Sequence, residues 1–152
     1  LHQGAYQKIT DLEVRLPALV IGSGLTAIDT ATELQAYYIR QIERLRMQCQ
    51  FLKSQGDYEL CVSQLTPTQQ AVLQTMLTHA EQAEKIKADA QTTGTKPYYG
   101  KLIQSWGGVS IVYRRSMQDS PAYRLNPEEI EQGLNEGILY KSHFDTCNKY
   151  SN

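Results

Sequence analysis

The segment that says most about the fold is PALVIGSGLTA, residues 17–27. Its short apolar run Ala18–Ile21 contains β-branched residues and stops at Gly22, as a buried strand of a parallel sheet does. From Leu25 onward, apolar residues recur every three or four positions, which is typical of a helix. The segment therefore predicts a strand, a tight glycine turn and a helix in direct succession.

The turn carries the pattern GxGxx(G/A), formed by Gly22, Gly24 and Ala27. The first glycine permits a tight turn, the second lets a pyrophosphate approach the backbone, and Ala27 lets the helix pack closely on the strand. Free amide N–H groups and the positive end of the helix dipole then attract the anion. The alternative is a glycine turn that packs tightly and binds nothing. The predicted cofactor-binding residues of the turn are Gly22, Ser23, Gly24, Leu25, Thr26, Ala27 and Asp29.

Asp29 has two interpretations. It is a contact of the nucleotide site, or it is an acidic residue placed in the first turn of the helix, where it favours the dipole without any chemistry.

Two long helices are predicted after the turn. The first runs from Leu25 to a break at residues 55–57, and the second begins at Thr66-Pro67, a capping residue followed by proline at the first helical position, and reaches about Gln91. Their apolar stripes indicate a two-helix arm whose helices bury each other, with aromatic packing at its base. We assign residues 38–98 to this insertion arm, within one NAD(P)-binding domain, residues 1–152, that we interpret as excised from a longer protein.

Strand character returns after the arm. A short helix is predicted over residues 97–106, a strand over Val109–Tyr113, a helix from Asn126-Pro127 to Gly137, and a third strand from Ile138. The predicted fold is therefore α/β: a partial Rossmann-like (βαβαβ) nucleotide-binding domain with a long two-helix insertion between the first and second strands.

Arg114 and Arg115 stand at the end of the second predicted strand, where NAD-binding domains place an acidic residue for the ribose. A pair of guanidinium groups suits a 2′-phosphate through charge-assisted hydrogen bonds. The pair therefore predicts NADP rather than NAD. The alternative is two solvated arginines beyond a strand.

Two blocks of the sequence, residues 17–38 and 107–140, resemble the NADPH-binding domain of glutamate-synthase small-subunit-like, FAD-dependent pyridine nucleotide oxidoreductases. The glycine motif with Ala27 and Asp29 matches the first block of that family, and Tyr113, Arg114 and Arg115 match its second strand end. The resemblance implies that the domain presents NADPH for hydride transfer to a flavin.

The chain also departs from that family. The arm is outside the common pattern, and no second glycine fingerprint for FAD is present. We therefore expect FAD to be held by the remaining FAD domain of the parent protein and not fully bound by this chain. The chain would supply no catalytic residue, and in isolation it would show little or no turnover.

Composition excludes several classes of partner and site. Fifteen Lys and Arg against sixteen Asp and Glu give a net charge of −1, so no basic field attracts nucleic acid or an anionic membrane. No apolar run approaches the length of a membrane span. Three cysteines without a CxxC pair favour a reducing cytoplasm, and the three histidines have no metal-ligand spacing. We predict a cytoplasmic protein with no metal site.

A second hypothesis treats the arm as an interaction or oligomerisation module in which nucleotide binding is vestigial. It requires that apolar side chains of the arm stay unpaired and available for self-association. The residues that decide this are Tyr38, Ile42, Leu45, Val72, Met76 and Leu77.

Overall fold

The computed structural model describes residues 13–142. A small parallel sheet contains β1 (Ala18–Ile21), β2 (Val109–Tyr113) and β3 (Leu139–Ser142) in the order β1-β2-β3. Ala18 lies beside Val109 and Ser110 beside Leu139, so the strands run in the same direction. Their carboxyl ends consequently meet at one edge of the sheet.

Helices occupy most of the remaining described chain. Between β1 and β2 lie α1 (Leu25–Gln55), α2 (Tyr58–Ser63), α3 (Pro67–Thr93) and α4 (Gly100–Ser105), and between β2 and β3 lie α5 (Pro121–Leu125) and α6 (Pro127–Asn135). The two long helices and their boundaries confirm the sequence prediction. The capping box of Thr66 and Gln69 begins α3, and the left-handed Gly56 ends α1. The short helices α2 and α5 were not predicted.

One core lies between the sheet and the helices α1 and α6. Ile28 and Ala31 of α1 are buried in one cluster with Ile111, Ile130 and Ile138. Ala31 is fully buried, and its small side chain lets the axis of α1 approach the strands closely. On the other face, Ser110 of β2 is also buried, so β2 is covered on both sides.

The opposite face of β1 is open to solvent. Leu19 is 63% exposed and Ile21 is 90% exposed, although both belong to a parallel strand. Parallel sheets of doubly wound proteins are covered by helices on both faces, and their strands are buried on both sides. The strand β1 therefore lacks a defining property of strands in that architecture.

The predicted partial Rossmann-like fold is wrong. Helices make up 65% of the described residues, the three strands have only four or five residues each, and the result is a helix-rich fold with a minimal sheet. The physical reason is that one of the two hydrophobic cores forms between helices, around Tyr38, Met76 and Ile103, and uses no strand residue. The assignment of residues 1–152 to one domain stays a prediction, since residues 1–12 and 143–152 lie outside the described range.

A second core joins α1 to α3 and α4. Tyr38 and Ile42 of α1 pack with Met76 and Ala80 of α3 and with Ile103 of α4. Leu45 and Val72 are partly buried against the same cluster, and Leu77 is half-buried. The apolar stripes of the two long helices are thus used largely in packing against each other, as the arm prediction required.

Aromatic rings close the base of the arm. The His79 ring stacks on Trp106 with 4.1 Å between centroids, and Tyr38 meets both rings edge-on. His79 Nδ1 lies 2.6 Å from the Tyr38 hydroxyl, and Trp106 donates a hydrogen bond to Gln82. Burial raises the pKa of Tyr38 to about 12. Aromatic packing at the base is therefore confirmed for Tyr38, whose ring partners are His79 and Trp106.

This packing makes stability depend on pH. Burial lowers the pKa of His79 below its usual value of 6.5. His79 therefore binds a proton more readily in the unfolded chain than in the folded chain. The contribution of His79 to the free energy of unfolding is complete above about pH 6.5 and is lost as the pH falls from there through the lower pKa of the folded state. Urea unfolding between pH 7 and 5 should show this loss, and His79→Gln should reduce it. If the free energy of unfolding depends on pH equally in the wild type and in His79→Gln, His79 is not the source of the pH dependence.

Candidate functional site

The strand β1 leads directly into the glycine turn at the carboxyl edge of the sheet. Gly22 has a φ of +144°, a backbone conformation that residues other than glycine rarely adopt. A Cβ at this position would lie 3.6 Å from the Cβ of Ala27, which is buried. Gly22 and Ala27 therefore have the conformational and packing roles that the sequence motif predicts.

Gly24 is the residue that caps α1. Its backbone is extended, and its carbonyl accepts hydrogen bonds from the amides of Ala27 at 2.9 Å and Ile28 at 3.4 Å. No side chain caps this helix, so the amides of Leu25 and Thr26, which precede the first intrahelical bond, stay available for a ligand. A Cβ at Gly24 would meet no atom within 4 Å. The approach to the start of α1 is therefore open.

Ser23 anchors the turn to the segment that follows β2. Its side chain is buried, and its carbonyl accepts a hydrogen bond from the amide of Ala122 at 3.1 Å. Ala122 belongs to α5, which Ser120 caps by accepting from the amide of Tyr123. The Ser120-Pro121 pair is the same start signal as Thr66-Pro67, and sequence reasoning overlooked it.

The arginine pair follows β2 at the same edge. The amide of Gly22 donates to the carbonyl of Val112 at 3.1 Å, so the turn adjoins the end of β2. Arg114 and Arg115 come directly after Tyr113, and both are exposed. Neither has an ion-pair partner within residues 13–142. The fold thus brings the two predicted parts of the site to neighbouring strand ends.

The position of Asp29 corrects one expectation. The first turn of α1 contains no acidic residue, and Asp29 lies in the second turn with its side chain exposed. Its interpretation as a first-turn residue is wrong, because α1 begins at Leu25. The start of the helix therefore carries no negative side chain that would repel an anion.

The cysteines and the described histidine form no further site. Cys49 is buried, Cys61 is exposed, and both are free thiols. Within the described residues, no group of three His, Cys, Asp or Glu side chains could hold a metal ion. His2, His143 and Cys147 lie outside the described range. In that range, no helix is both long and apolar enough to span a membrane.

The comparisons with other proteins found a relative of this chain. The uncharacterized protein RP006 of Rickettsia prowazekii (strain Madrid E) is 32% identical to this chain over 134 residues. The match covers 88% of this chain and 16% of the relative, so the chain spans about a sixth of the length of that protein. No protein-family model matches the chain, and no solved structure matches it.

The two glycines of the turn should respond differently to alanine. Gly22→Ala is expected to lower the free energy of unfolding by about 1–3 kcal/mol, because its φ is strained for any side chain. Gly24→Ala has an ordinary φ and open space, so we expect a smaller loss of about 0.5 kcal/mol. Urea denaturation of both variants checks this order. Equal losses would contradict the described turn.

Proposed function

We propose that this chain binds NADPH at the glycine turn and contacts the 2′-phosphate through the arginine pair. The parallel pairing of β1 with β2 carries the proposal, because it sets the turn at Gly22 beside the strand end that leads into Arg114 and Arg115. In parallel sheets, nucleotides bind outside the carboxyl ends of the strands.

The residues of the turn fit a pyrophosphate. The amides of Leu25 and Thr26 lie at the positive end of the helix dipole and can donate to phosphate oxygens. The open space at Gly24 lets the phosphate come close to the backbone. This contact uses backbone donors only, so it distinguishes anions from neutral ligands but not one nucleotide from another.

The arginine pair supplies the selectivity. Two exposed guanidinium groups without ion-pair partners in the described chain can each make a charge-assisted hydrogen bond to a 2′-phosphate. Such bonds contribute about 1.5–3 kcal/mol each, so one or two of them give a tenfold to hundredfold preference for NADPH over NADH.

In the parent protein, this segment would present the nicotinamide of NADPH to a flavin in a cytoplasmic, FAD-dependent oxidoreductase similar to the small subunit of glutamate synthase. NADPH supplies the hydride, and this chain binds and orients the cofactor. The sequence contains no second glycine fingerprint of the kind that binds FAD. The residues present therefore do not fit FAD, which we assign to the remaining FAD domain.

The outer end of the arm favours the second hypothesis, an interaction module. Met47, Phe51 and Leu60 are each more than 60% exposed there, although the stripes nearer the base are paired. Sedimentation over a hundredfold concentration range separates the two hypotheses. A monomer at every concentration counts against self-association, and a dimer lost in Met47→Ser/Phe51→Ser supports it.

The NADPH proposal predicts a change of affinity in Arg114→Ala/Arg115→Ala. The double variant should lose most of its preference for NADPH over NADH and keep its weaker affinity for NADH, because only the 2′-phosphate contacts are removed. Fluorescence titration with both nucleotides at fixed ionic strength measures this, since salt screens the phosphate contacts.

Arg40→Ala/Arg44→Ala is the matched control. It removes the same charge from exposed positions on the arm and should leave both affinities unchanged. Absence of NADPH binding to the folded wild-type chain, or an equal loss of preference in this control, would refute the proposed site.

A further inference from the structure

A solvent-open cavity of about 290 Å³ lies away from the glycine turn, where the first half of α1 faces the segment leading into α4 and the end of α6. Its lining includes Gln35, Ile39, Tyr98, Tyr99 and Ile103. The lining begins at Thr32, which is seven residues beyond the start of α1, or about 10 Å along the helix axis. The cavity is therefore separate from the proposed nucleotide site.

Gln35 is the unusual residue of this cavity. Its side chain is only 6% exposed, and its amide nitrogen Nε2 has no hydrogen-bond partner. Leaving a buried donor unpaired costs about 1–3 kcal/mol, and nearly all buried polar groups avoid that cost. An apolar residue would fill this position on α1 without the penalty. Nε2 has almost no accessible surface, so a ligand acceptor reaches it only when the Gln35 amide turns toward the cavity.

The far wall of the cavity is held in place by the fold. The Tyr98 hydroxyl donates to the carbonyl of Asn135 at 2.6 Å, which fixes the segment before α4 against the end of α6. Gly100 and Gly137 pack so closely that a Cβ on Gly137 would lie 2.8 Å from the Cα of Gly100. Because these contacts are made within the chain itself, binding requires little ordering of the wall.

The lining defines the chemistry of the ligand. Ile39 and Ile103 supply apolar surface, and the tyrosines supply flat aromatic surface that favours a planar ring. The volume is at the lower limit for small-molecule sites, which allows one ring with small substituents. The terminal torsion of a glutamine side chain is broad, so the Gln35 amide can turn toward an acceptor in the cavity at low cost.

We propose that this cavity is a binding site for a small, single-ring aromatic compound that carries a carbonyl or ring-nitrogen acceptor, which Gln35 Nε2 recognises. This inference is independent of the nucleotide proposal.

Benzamide, which has a ring and a carbonyl, and toluene, which has the ring alone, are the probes for the test. Titrations followed by NMR should show saturable shifts of the Gln35 side-chain amide and of the backbone amides of residues 98–100 with benzamide in the millimolar range. Gln35→Leu should weaken benzamide at least tenfold and leave the affinity for toluene nearly unchanged, because it removes only the polar contact. Gln50→Leu, at an exposed position of α1, is the matched control and should change neither the affinity for benzamide nor that for toluene.

Unfolding of the free protein gives an independent readout. Gln35→Leu should be at least as stable as the wild type without ligand, because it removes an unpaired buried donor. A destabilised Gln35→Leu variant would show that Nε2 is paired in the protein and would overturn the proposal. Absence of saturation at the solubility limit of benzamide, or equal benzamide affinity in Gln35→Leu, would overturn it as well.

Discussion

The close contact between α1 and the sheet is the constraint on which the rest of the structure depends. Ala27 and Ala31 are small and buried, so the N-terminal part of α1 lies directly against the strands. The same continuous helix then carries Tyr38 and Ile42 into the core with α3. A 31-residue helix thus joins two hydrophobic cores, and its direction at Leu25 fixes the direction of the arm.

The candidate site follows from that contact. To place α1 against β1 after a short connection, the chain must turn sharply, and Gly22 adopts the required positive φ. The turn leaves amides at the start of α1 without intrahelical acceptors, next to the end of β2. Backbone geometry therefore creates the free donors of the proposed anion site, and the exposed arginines that follow β2 supply positive charge.

Caps, turns and strands were predicted correctly where the residues that determine them are adjacent in the sequence. The capping pair Thr66-Pro67, the strand Val109–Tyr113 and the glycine turn are confirmed because their physical causes are local. The helix α5 carried the same kind of signal at Ser120-Pro121 and was overlooked. The Rossmann-like fold was wrong because the glycine motif reports only a strand, a turn and a helix. It does not report whether helices cover both faces of the sheet, and here Ile21 is exposed.

Features that depend on distant contacts could not be predicted. The stacking of His79 on Trp106 brings together residues that are distant in the sequence. Gln35 likewise lines a cavity with Tyr98 and Tyr99, which are far from it along the chain. For the candidate site, the sequence indicated the glycine turn and the arginine pair, and their role in binding stays a prediction. The hydrogen bond from Gly22 to Val112, which joins the two halves of the site, became visible only in the structure.

The most direct test of the central claim is to locate the bound nucleotide by NMR, using 2′,5′-ADP as the ligand and following every backbone amide. The account predicts that the largest shifts occur in two separate segments, residues 22–26 and residues 113–115, with the same titration midpoint. Shifts confined to the arm, or to only one of the two segments, would contradict a phosphate site built jointly by the glycine turn and the arginine pair.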